Sequence, residues 1–166
     1  SALPAVDGDS YQLQQVLVNL LVNAADALAD TADPRVTLRT LTRLAHAQVE
    51  LPARRRDDPP TVNYSHRRRL WAGSAQRDPV PVGTPVVEIQ VADNGPGIPA
   101  HLLEQIFEPF VTTKDPGKGT GLGLAVCARL VEGMGGIVRA QNLDGAGALF
   151  TVVLPPAVTT THSSVP

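Results

Sequence analysis

The chain has 166 residues, 14 Lys plus Arg against 16 Asp plus Glu, and a formal net charge of −2 with its histidines neutral. With 43% hydrophobic and 18% charged residues it can bury a sizeable core, which excludes a wholly disordered chain. The single cysteine, Cys127, excludes an internal disulfide and a zinc cluster, and no apolar run reaches the roughly 18 residues of a membrane-spanning helix. The opening residues Ser1 to Pro4 carry no signal-peptide pattern, so the expectation is a soluble domain in a reducing compartment.

From Asp9 to Asp30, Leu13, Val16, Leu17, Leu20, Leu21, Ala24 and Leu28 recur at the spacing of an amphipathic helix. Gln15, Asn19, Asn23, Asp26 and Asp30 form a polar stripe on its other side. That stripe is either a wetted face or a binding surface, and asparagine at i and i+4 is a poor choice for helix propensity alone.

Val36 to Leu41 reads as a strand, followed by an arginine- and proline-rich stretch at about 46–84 that reads as an insertion within one domain. Residues 35–77 hold ten arginines against Glu50, Asp57 and Asp58, a local excess of seven positive charges. Arg54 to Arg56 and Arg67 to Arg69 read as a solvated loop or as a contact for an acidic partner, lipid or nucleic acid. Only Tyr64 and Trp71 interleave the two arginine runs and no nucleic-acid motif is present, so no nucleic-acid partner is expected.

Val86 to Ala92 is β-rich and stops abruptly at Asp93-Asn94-Gly95-Pro96-Gly97. This is a plain turn, or an acidic group beside backbone that can approach a ligand closely. Pro99 to Phe107 reads as a short helix, and Leu122 to Met134 as a longer one ended by Gly135-Gly136.

Glycines 117, 119, 121 and 123 precede that longer helix at alternate positions. They leave free N–H groups at the positive end of a helix dipole, a phosphate-binding arrangement, with a flexible linker as the alternative. The spacing fits neither a Walker A loop nor a dinucleotide fingerprint. Ile137 to Gln141 and Ala148 to Leu154 complete a hairpin around Asp144-Gly145, and residues 156–166 read as a tail.

Four segments, in this order, resemble the motif set of the catalytic ATP-binding domain of sensor histidine kinases, in the superfamily shared with gyrase, MutL and heat-shock chaperone ATPases. Residues 15–27 resemble the N box, 93–98 the first glycine box, 106–110 the F box and 119–124 the second glycine box. Ile106-Phe107-Glu108-Pro109-Phe110 with Thr112-Thr113-Lys114 is most similar to the nitrogen-regulatory and dicarboxylate-sensing branch.

The resemblance implies an α+β fold, a two-layer α/β sandwich of the Bergerat type. A mixed, mostly antiparallel sheet of about five strands would be covered on one face by about three helices. Residues 1–155 would form the single domain.

For the site, the resemblance implies ATP and Mg2+ as cofactors. Asn23 would be the metal ligand, Asp93 would accept the adenine amino group, and Gly95 and Gly97 would let backbone close over the base. Gly119, Thr120, Gly121, Leu122 and Gly123 would line the triphosphate, with Phe107 and Phe110 anchoring the lid. Lys114 and Lys118 are phosphate contacts or solvated lysines, and Thr151 supports the adenine pocket through water or is a plain strand residue.

Related ATPases carry a glutamate general base where this chain has Asn19, and an amide cannot take a proton from water. Asp26 would join the magnesium or water shell, or cap the helix. None of His46, His66, His101 and His162 is followed by an acidic residue, as a phosphoacceptor histidine of this class would be.

The resemblance therefore implies a catalytic piece that transfers the γ-phosphoryl of ATP to a histidine on a separate dimerisation domain. The receiver domain of a response regulator would be the further partner. The isolated chain would be monomeric, its parent homodimeric, and the domain cytoplasmic. A non-catalytic nucleotide sensor and a related ATPase or protein-serine kinase are the competing readings.

Overall fold

In the computed structural model, residues 3–45, 82–114 and 119–157 are described. Their elements are α1 (Ser10–Ala27), β1 (Val36–Leu44), β2 (Pro85–Asp93), α2 (Gly123–Gly133), β3 (Ile137–Asn142) and β4 (Ala148–Leu154). Helix α1 starts where Asp9 caps it, its side chain accepting from Tyr11 N at 2.8 Å. Val16, Leu20 and Ala24, four apart, form its buried ridge.

The strands form one sheet in the order β1-β2-β4-β3, with every neighbouring pair antiparallel. Alternation decides what each strand buries. Val87, Ile89 and Val91 of β2 lie opposite Leu154, Val152 and Phe150 of β4, and all six are buried. Val16 and Leu20 of α1 and Cys127 and Val131 of α2 complete the same core, so the two helices cover one face. The layered α+β architecture expected from the sequence is present, with four strands and two helices among the described residues.

The segment 99–107, read from sequence as a short helix, is a run of turns instead. Its backbone bonds skip three residues at a time: Leu102 N to Pro99 O, Gln105 N to Leu102 O and Glu108 N to Gln105 O, at 2.7–2.8 Å. The i→i−4 ladder of a helix is absent from these backbone bonds.

The insertion expected at 46–84 lies outside the described residues except for its last three, where Gly83 N and Ala45 N bond to Ala45 O and Thr84 O. Pro156 pairs with Val6 in an isolated bridge and Ala157 N donates to Ala5 O, so the chain just past β4 is tied to the segment before α1.

Candidate functional site

Strand β2 ends on its core-facing register with Asp93, which is only 5% exposed. A carboxylate this deep needs hydrogen bonds. Its Oδ1 accepts two, from Gly95 N at 2.9 Å and Ala148 N at 3.2 Å. The loop after it is fastened to its surroundings on several sides. Asn94 Oδ1 accepts from Arg35 N and Asn94 Nδ2 donates to Asp33 O, both at 2.8 Å, fixing the connection between α1 and β1.

Gly95 lies against the C-terminal carbonyl of α1, where a Cβ would stand 3.0 Å from Ala27 O. One turn on, Asn142 at the end of β3 grips the Gly97–Ile98 backbone: its Oδ1 accepts from Ile98 N and its Nδ2 donates to Ile98 O, each at 2.7 Å. Gly147 completes the cradle. With φ +97° and an added Cβ only 1.9 Å from Asp93 O, no side chain fits there.

The other candidate residues lie on α1 and in the chain around α2. Asn19 and Asn23 are half-buried and one turn apart, and Asp26 is exposed near the helix end. The Asn19 amide hydrogen-bonds Cys127 of α2, whose thiol also donates to Val16 O at 3.7 Å. Burial pushes that thiol up to about 11 despite the bond from Asn19. Asp26 pairs with Lys114 Nζ, bringing the segment after the F box down onto α1.

Gly119 rests on the Lys114 stem, where a Cβ would be 2.9 Å from Lys114 Cδ. Gly121, φ +64°, packs against Phe110 with a Cβ position 2.5 Å from Phe110 C, and Phe110 N donates to Gly121 O at 2.9 Å. Phe110 itself has φ +69° and is 77% exposed, a conformation that a bulky residue holds only under constraint.

Helix α2 begins without a side-chain cap, and its N-cap residue Leu122 makes only a long bond, Leu122 N donating to Thr120 Oγ1 at 3.4 Å. The first N–H groups of α2 are thus left for an external acceptor, and a Cβ at Gly123 would meet nothing within 4 Å.

The structure thus joins Asp93, Gly95 and Gly97 in one cradle, and separately links Asp26, Lys114 and Gly119, with Gly121 packed against Phe110. Lys118 lies outside the described residues. Thr151 is not brought in. It faces Gln90 and Arg139 across the sheet, on the face turned away from Asp93 and the helices, because its neighbours Phe150 and Val152 occupy the core-facing register.

Asn142, Gly147 and Ala148 were missed by sequence reasoning although they hold the Asp93 loop. Two signals existed: Asn142 breaks the alternation of β3 by falling on the register of Val138 and Ala140, and Gly147 is a second glycine beyond what the Asp144-Gly145 turn needs.

Residues 72–158 match the family described as histidine kinase-, DNA gyrase B-, and HSP90-like ATPase, and the chain belongs to it. Within that family its relatives are sensor kinases of two-component systems. It is 42% identical over 152 residues to the two-component sensor PprA of Pseudomonas aeruginosa, covering 92% of this chain and 13% of that protein. It is 36% identical over 154 residues to the sensory histidine kinase/phosphatase NtrB of Rhizobium meliloti, covering 93% of this chain and 33% of the relative.

Among solved structures, full-length ShkA in complex with AMPPNP is similar with a TM-score of 0.56 at 28% identity, over 94% of this chain and 24% of that one. The chain thus spans a third or less of each of these proteins. The kinship to the nitrogen-regulatory branch agrees with the wording of the F box.

Proposed function

We propose that this chain binds Mg-ATP and delivers the γ-phosphoryl to a histidine on a separate dimerisation domain, for onward passage to the receiver domain of a response regulator. The observation that carries the nucleotide reading is Asp93. Its Oδ1 is taken by two backbone N–H groups, so Oδ2 has the acceptor capacity for an incoming amino group, in a loop held too firmly to turn away. An adenine offers such an amino group and guanine, at the same ring position, offers a carbonyl.

The uncapped start of α2 behind its glycine-rich turn suits the phosphates. Among the described residues no group of three or more His, Cys, Asp or Glu gathers to hold a metal. Asn23, as the single protein oxygen donor, fits a cation whose other ligands are phosphate oxygens and waters. Bound there, magnesium would supply neutralisation of phosphate charge. Asn19 offers no base for water, which suits transfer to a partner over hydrolysis. Lys114 would exchange Asp26 for phosphate on nucleotide binding.

The parent would be a homodimer, this domain alone a monomer, and its location cytoplasmic. Residues 1–155 would be one domain carrying an insertion. Among the described residues no helix is long and apolar enough to cross a membrane.

Calorimetric titration with AMPPNP, with and without magnesium and beside the guanine analogue, tests the reading. Magnesium-dependent binding that prefers adenine is expected. Equal affinity for both bases, or no binding by the folded chain, would overturn it.

A further inference from the structure

Away from that site, between α2, the Phe107–Pro109 turn and the start of β3, lies a recess of about 100 Å³. Most of its lining is apolar, including Phe107, Pro109, Ala128, Ile137 and Val138, and its charged members are Arg129 and Glu132. Into it comes one carboxylate, Glu132, and Glu132 Oε1 is buried with no hydrogen-bond partner among the described residues. An unsatisfied buried carboxylate oxygen is costly and calls for a specific reason.

Two features make the charge harder to hold. Burial disfavours the ionised form and pushes the carboxyl above its usual range, with Arg129 acting the other way. Glu132 also sits in the last turn of α2, at the negative end of the helix dipole, where a cation would be favoured and no basic side chain is present. Arg129, one turn back, lines the rim of the same recess and is exposed, so its charge is spent on solvent, and it makes no hydrogen bond or ion pair with Glu132 among the described residues.

We propose that this recess is a binding site for a primary alkylammonium group, its cation hydrogen-bonded by Glu132 and its carbon chain enclosed by Phe107, Pro109, Ile137 and Val138. The shape agrees with that class. A cavity of about 150 Å³ holds a benzene ring, so about 100 Å³ suits a chain of roughly four carbons. An ammonium donates three hydrogen bonds from one point, so it needs less room at a single carboxylate than the broad planar fork of a guanidinium. Such a group is carried both by free amines and by lysine side chains.

The test is a titration of the isotope-labelled chain with n-butylammonium, followed by amide shifts in the NMR spectrum. Shifts confined to residues 107–109 and 125–138 are expected, about tenfold weaker binding for Glu132→Gln, and about tenfold weaker binding of n-butanol, which has the chain without the charge. A lysine tripeptide with blocked ends is the second arm. Binding of the peptide assigns the site to a protein side chain, and binding of butylammonium alone assigns it to a free amine.

Equal binding by Glu132→Gln, equal binding of butanol, or no localised shifts overturns the proposal. It does not rest on the nucleotide site. AMPPNP affinity of Glu132→Gln should equal that of the unsubstituted chain, so each reading can fail separately.

Discussion

Gly145 and Gly147 stand two residues apart in one hairpin and share a backbone conformation, φ +100° and +97°, yet they differ in what surrounds them. A Cβ at Gly145 would meet nothing within 4 Å, while one at Gly147 would lie 1.9 Å from Asp93 O and 2.9 Å from Asn94 Cα. Alanine at either position incurs the strain of a positive φ, about 1–3 kcal/mol. At Gly147 it must also displace backbone, adding about 1–3 kcal/mol of overpacking and weakening the Ala148 N–H bond to Asp93 by about 1 kcal/mol.

The gap between Gly147→Ala and Gly145→Ala is therefore about 2–4 kcal/mol, and at Gly147 it is felt at Asp93 itself. Urea unfolding of both variants, with the slope checked for constancy, measures the gap, and AMPPNP titration reads the site. Gly145→Ala should keep nucleotide affinity and Gly147→Ala should lose most of it. Equal destabilisation of the two would refute the claim that contact with the Asp93 backbone, and not hairpin conformation, is what requires glycine.

Asp93→Asn keeps the shape but replaces an acceptor with a donor, so AMPPNP affinity should fall by about 1.5–3 kcal/mol, tenfold or more, while the melting temperature moves little. Asn142→Ala removes both bonds to Ile98 and should cost about 1–3 kcal/mol in urea unfolding, with faster amide exchange at Gly97 and Ile98. Cys127 is buried and its thiol is pushed up to about 11, so thiol reagents at neutral pH should label it only when the chain is unfolded, and prompt labelling of the folded chain would contradict that burial.

For Glu132 the folded state holds the proton more tightly than the unfolded chain, so its contribution to stability is greatest at low pH and is lost as pH rises from the ordinary carboxylate range through the raised value. Glu132→Gln, which cannot ionise, should be the more stable protein at neutral pH, with the difference shrinking towards pH 4. A gap that widens on acidification would reverse the sign.

Much of the architecture was legible because it is periodic. The apolar spacing from Leu13 to Leu28 marks α1, and Asp9 marks its start, but the helix stops at Ala27, where the carbonyl packs against Gly95 from far along the chain. Alternation in β4 was equally readable, and it assigns Thr151 to the outer face of the sheet. What could not be read was the set of contacts made across the sequence. Asn142 reaches Ile98 over 44 residues and Ala148 reaches Asp93 over 55, and no local pattern encodes such a meeting. The turns at 99–107 failed for a different reason: apolar spacing there resembles a helix, yet bonding settles on i→i−3 steps after Pro99.

The hairpin of β3 and β4 comes last among the described elements, yet it supplies Asn142, Gly147 and Ala148 to a loop made some 45 residues earlier. During synthesis α1, β1 and β2 emerge first, with the Asp93 turn held only through Asn94 to Asp33 and Arg35. The bonds from Asn142 and Ala148 arrive only when the hairpin docks beside β2, which closes a long loop of chain in a late step. A chain interrupted before residue 142 would contain every glycine box and still lack the grip that orders the first of them. Occupancy of the cradle would then report that translation and folding have reached the end of the sheet, a check on completeness built into strand order.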